Sequence, residues 1–104
     1  MDGDIVETRR STGKCDISGQ EVFENDIIER HIAGRILEGN LIIRYGTWQA
    51  FCPVDQCFMD SVGFYAIGED LPDMPIGPLE DYACVIGNLE NNKELVPWFD
   101  EKQD

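Results

Sequence analysis

Ile36-Leu37-Glu38-Gly39-Asn40-Leu41-Ile42-Ile43-Arg44-Tyr45 is the stretch on which the fold reading turns. Two runs of strand-forming residues flank Gly39-Asn40, a dipeptide that accepts the positive φ of a two-residue hairpin loop. The expectation is therefore a hairpin that turns at Gly39-Asn40. Upstream, Val22-Phe23 leads through Glu24-Asn25 into a strand from Asp26 to Ile32, with Asn25 in the left-handed conformation of a tight turn. Downstream of Gly46, Thr47 to Cys52 alternates, which sets Trp48, Ala50 and Cys52 on one face and Thr47, Gln49 and Phe51 on the other. Pro53 stops that strand, because proline cannot donate to a ladder. Phe58-Met59 and Phe64-Tyr65-Ala66-Ile67 read as a further pair of short strands around Gly63.

Residues 68–78 hold three prolines and read as an exposed acidic loop. Pro78-Leu79-Glu80-Asp81-Tyr82 suits one helical turn with proline at its start. Ala83-Cys84-Val85-Ile86 reads as a final buried strand, closed by Gly87-Asn88. No window longer than about ten residues shows helical spacing of apolar positions. The expected fold is all-β and mainly antiparallel, a small bent sheet or partly open barrel with at most one or two short helical turns. At 104 residues the chain holds one domain. We place a short segment at 1–11, a single β domain at 12–99 and a frayed acidic tail at 100–104.

Eight Lys and Arg stand against 21 Asp and Glu, for a formal charge of −13. Residues 31–68 carry only −1 of it and residues 69–104 carry −8, so a nearly neutral core has acidic flanks. With 42% hydrophobic and 10% aromatic residues, this is a folding composition and not a disordered acidic tail. Such a charge repels nucleic acid and anionic lipid and directs the protein toward basic partners. A collagen, a coiled coil and a basic nucleic-acid reader are excluded. No run approaches the ~20 apolar residues of a membrane helix. Met1-Asp2-Gly3-Asp4 places acids where a secretory leader would place Lys or Arg, so we expect a cytoplasmic protein with reduced thiols.

Catalytic chemistry is hard to locate. The single histidine, His31, lies in an expected strand between Arg30 and Ile32 and reads as a rim residue. None of Ser11, Ser18 and Ser61 sits in a Gly-x-Ser-x-Gly elbow, and no phosphate-cradling loop is present. The expectation is a protein without enzymatic activity or cofactor; an enzyme would have to work through His31 with a cysteine or carboxylate. Cys52-Pro53-Val54-Asp55-Gln56-Cys57 has the widest spacing a zinc knuckle uses, while Cys15 and Cys84 stand alone. We read the cysteines as free thiols and small hydrophobes, with a zinc site of Cys15, Cys52, Cys57 and Cys84 as the alternative. Glu69, Asp70, Asp73, Glu80 and Asp81 bracket the proline-rich segment without the spacing of a calcium loop. They read as a contact surface, with Trp48 and Trp98 as its aromatic anchors, and Phe51 and Tyr65 as further candidates.

Two motifs resemble the YopX family, small proteins encoded by bacteriophages and prophages. The family pattern Thr-Gly-x-x-Asp-x-x-Gly-x-Glu-Ile/Val-Tyr/Phe-Glu-Gly-Asp-Ile-Val/Ile is similar to Thr12-Gly13, Asp16, Gly19, Glu21-Val22-Phe23-Glu24 and Asp26-Ile27-Ile28, with Asn25 in place of a glycine. Val85-Ile86-Gly87-Asn88-Leu89-Glu90-Asn91 is similar to the family's closing motif, one residue shorter and without its proline. The resemblance spans residues 12–95 and implies a phage-derived, β-rich accessory domain with no established catalytic residues. Its matched positions read as turn and core chemistry: Asp26 and Asn88 cap turns, and Val22, Phe23, Ile27 and Ile86 fill the interior. The function that follows is a binding module acting through an acidic surface on a host or phage protein. A narrower form is an anti-defence or nuclease-blocking decoy. Self-association stays open.

Overall fold

The computed structural model describes residues 9–99. Six strands follow one another: β1 (Ser11–Cys15), β2 (Glu21–Phe23), β3 (Asp26–Ile32), β4 (Arg35–Cys52), β5 (Cys57–Ile67) and β6 (Ala83–Asn88). Two single 3-10 turns, Leu79–Asp81 and Lys93–Leu95, are the only helical elements among the described residues. Every ladder is antiparallel. β1 and β2 form a two-stranded sheet, and β5-β4-β3-β6 form a four-stranded one. The all-β, antiparallel fold is as expected, built of open sheets. The expected frayed tail at 100–104 and most of the segment 1–11 lie outside the described residues.

The sheet is buried on both faces because its apolar residues come in consecutive pairs, and neighbours on a strand point to opposite sides. Ile28 and Ile43 enter one cluster with Val22, Leu41, Ala66, Ile76, Leu79 and Ala83. Ile27 and Ile42 enter a second cluster with Leu89 and Val96, on which Ile67, Ile86, Trp98 and Phe99 pack.

Register corrects the hairpin at Gly39-Asn40. The β3–β4 turn falls instead at Ala33-Gly34, both with positive φ (54° and 76°), where Ile32 faces Arg35. β4 runs on through Gly39-Asn40, and the ladder shifts between Ile28 and Arg30. Gly39 thus serves a bulge rather than a turn. The physical reason lies in the partners. A turn at Gly39-Asn40 would pair Leu41–Ile43 with the exposed Ile36-Leu37 arm, whereas the observed register sets Ile27 against Ile42 and Ile28 against Leu41. The Asn25 turn is as expected, with φ 73° and its N–H bonded to the Ile43 carbonyl.

A second correction concerns β5, which is one strand rather than two short ones. Gly63 lies opposite Gly46, with φ +145° and +151°, backbone that a residue with a Cβ rarely adopts. Residues 68–78 also differ from a loose loop. Ala66 and Met74 exchange two backbone hydrogen bonds, and Ile76 and Leu79 are buried in the first cluster. Prolines deny the segment a ladder, but its apolar residues still roof the sheet. Leu79–Asp81 forms the expected helical turn after Pro78.

Candidate functional site

Beyond the Gly46–Gly63 pair, β4 and β5 pair only with each other among the described residues. The β3–β4 ladder ends at Ile42, while the β4–β5 ladder continues from Thr47 opposite Val62 to Cys52 opposite Cys57. The result is a two-stranded arm about 20 Å long at the usual rise per residue, closed by the loop 53–56. Alternation puts exposed apolar side chains on both of its faces. On one, Phe51 and Phe58 meet edge to face with ring centroids 5.4 Å apart, and Val62 lies beyond the polar Gln49–Asp60 pair. On the other lie Ala50 and Met59. Phe51 is 54% exposed, Phe58 58%, Met59 52% and Val62 71%. Asp55 and Asp60 are the only charges between 47 and 62, and Gln49 donates to Asp60. Scattered exposed hydrophobes are ordinary on a protein surface; four large ones on one two-stranded ribbon make it the candidate contact surface.

Of the two tryptophans expected on the contact surface, Trp48 is buried and Trp98 half-buried. Trp48 is stacked on Tyr65, with centroids 5.8 Å apart. Trp98 packs on the second core cluster and meets Phe99 edge to face. Sequence reasoning named Phe51 but passed over Phe58, Met59 and Val62. The signal that could have found them is the turn: Pro53 in a four-residue loop between Cys52 and Cys57 sets Phe51 opposite Phe58. Glu69, Asp70, Glu80 and Asp81 are exposed and Asp73 is half-buried. Glu69 and Asp70 follow the body end of β5, away from the arm's tip.

The cysteines fall in three places, so the four-cysteine set is corrected. Cys15 is exposed on β1, Cys52 and Cys57 face each other at the end of the arm, and Cys84 lies on β6. Cys84 stands opposite Glu29 of β3, and His31 follows two residues along. His31 is half-buried, with Nε2 3.0 Å from Glu29 Oε1. Burial pushes the Cys84 thiol up, and the carboxylates of Asp16 and Glu29 push it further, so it is held protonated at neutral pH. That is the opposite of what a thiolate nucleophile requires.

Two buried carboxylates organise the body. Asp16 Oδ1 accepts from the Ser18 and Gln20 N–H groups, both at 2.9 Å, and from the Ser18 hydroxyl at 2.7 Å. Asp16 Oδ2 accepts from Val85 N–H at 2.9 Å, which ties the β1–β2 loop to β6. Asp26 accepts the Phe23 N–H at 2.8 Å and pairs with Arg9 at 2.8 Å. Asp26 and Asn88 cap turns as expected; the side-chain Oδ1 of Asn88 accepts the Asn91 N–H. These residues are structural. Set against known proteins, the chain matches no family model, no curated protein and no solved structure.

Proposed function

We propose that this chain is a non-enzymatic protein-binding module that lays the apolar end of its β4–β5 arm into a groove of a basic partner. The observation that carries the reading is the exposed set Phe51, Phe58, Met59 and Val62 on a ribbon whose two edges are unpaired among the described residues. Strand edges and alternate side chains are the two elements that β-addition to a partner sheet uses. Charge selects the partner: a net −13 opposes a second copy and favours a positively charged surface. The resemblance to YopX proteins supports a phage or prophage accessory role in the bacterial cytoplasm, of which a decoy for a basic nuclease is the narrower form.

The test is a tagged pull-down from bacterial lysate on a rising salt gradient, run in parallel with F51S/F58S. We expect a basic protein held in stoichiometric amount, released as salt rises, and lost from F51S/F58S. A pair of buried anchors of this kind contributes about 2 kcal/mol or more, roughly a thirtyfold change in affinity. Equal retention by F51S/F58S overturns the reading. So does a salt-independent complex, or light scattering that shows the arm filled by a second copy.

A further inference from the structure

We propose that Glu29, His31 and Cys84 form a site for one borderline divalent transition-metal ion, Zn2+ foremost, with the fourth position open to water or an incoming donor. The carboxylate oxygen, imidazole nitrogen and thiol sulfur all lie within 4.8 Å of one another. They are set there by backbone rather than by flexible loops. Glu29 and His31 occupy alternate positions of β3 and so share a face, and Cys84 is the cross-strand neighbour of Glu29 on β6. The His31 N–H bonds to the Tyr82 carbonyl at 2.7 Å, which holds the far end of this pairing.

The donor set selects the ion. Sulfur and imidazole disfavour calcium and magnesium, which take oxygen ligands, and suit zinc. Zinc–ligand bonds of about 2.0–2.3 Å place tetrahedral donors about 3.3–3.7 Å apart. The Nε2–Oε1 separation of 3.0 Å therefore opens by a few tenths of an ångström, and rotation of the Cys84 and Glu29 side chains closes the rest. The ion sits between Nε2 and Oε1, taking the Nε2 lone pair of neutral His31 with the ring proton on Nδ1. On binding, Cys84 forms an S–metal bond and releases one proton to solvent. The carboxylate and the thiolate then balance the divalent charge. Asp16 is not a ligand, since its two oxygens already accept four hydrogen bonds.

Cobalt reports on such a site directly. Reduced full-length protein and its C52S/C57S variant are titrated with Co2+, and Zn2+ is then added in competition. We expect both to saturate at one ion per chain, with tetrahedral visible bands and a thiolate-to-cobalt charge-transfer band that Zn2+ abolishes. C84S loses the charge-transfer band while its circular dichroism is retained, and H31A and E29Q each weaken binding at least tenfold. Absence of a saturable band in the full-length protein overturns the site. A charge-transfer band that survives C84S, or that disappears in C52S/C57S, overturns it as well, because the thiols at the end of the arm would then be the ligands.

Discussion

Asp16 keeps both carboxylate oxygens inside the protein, and its substitution shows what the hydrogen bonds are worth. Burial pushes this carboxyl up, but the donors from Val85, Ser18 and Gln20 outweigh it and hold the group below the ordinary carboxylate range. Because the folded value is depressed, its contribution is complete above that range and is lost as pH falls through the folded value. Asn at this position replaces one acceptor oxygen by an NH2 group, a donor set against donors it cannot satisfy. We expect Asp16→Asn to lose about 1–3 kcal/mol in denaturant unfolding at neutral pH, with the gap to the wild type narrowing as acid is added. Asp26 has the opposite sign. Burial raises its carboxyl despite the Phe23 N–H and Arg9, so ionisation in the folded state is disfavoured and stability declines as pH rises toward the raised value. In Asp26→Asn that decline is absent.

At the scale of single elements, the arm and the sheet body differ in what holds them. Strand β3 is hydrogen-bonded on both sides and carries fully buried isoleucines, whereas residues 47–52 and 57–62 have one neighbour strand each. Hydrogen exchange should show arm amides exchanging through local opening while those of Ile27, Ile28 and Ile42 exchange only with global unfolding. Where the arm leaves the body, Gly63→Val meets open space but forbidden backbone; we expect a cost of about 1–3 kcal/mol in denaturant unfolding. What could be read from the sequence follows the same division. The Asn25 turn, the strand from Asp26 and the turn after Pro78 were legible because a few adjacent residues decide them. The turn at Ala33-Gly34 was not, because burial of Ile27 and Ile28 against β4 outranked the local preference of Gly39-Asn40. The arm escaped for a related reason: Gly63 looks like a break until Gly46 is seen across from it. Glu29, His31 and Cys84 meet only through β3–β6 pairing, and no spacing along the chain announces a contact between such distant positions.

At the scale of the whole molecule, like charges oppose folding. Raising ionic strength from about 0.01 to 0.15 M shortens the screening length from about 30 to about 8 Å. The net −13 predicts that Tm rises over this interval, since self-repulsion among exposed charges is screened more than the partly buried Arg9–Asp26 pair. A Tm that falls would mean that ion pairs outweigh repulsion. The order of strands across the sheet has a consequence for how the protein is made. β6 is synthesised after β5 yet inserts beside β3, and Leu89 and Val96 behind it complete the second cluster. At bacterial and eukaryotic elongation rates of about 5–20 residues per second, the stretch from Ile67 to Val96 takes a few seconds to emerge. Throughout that interval the nascent β3–β4–β5 meander presents the bare β3 edge that β6 will pair with and an uncovered isoleucine face. A chaperone that grips extended apolar chain at the ribosome exit has this window to do so, and the arrival of β6 ends it.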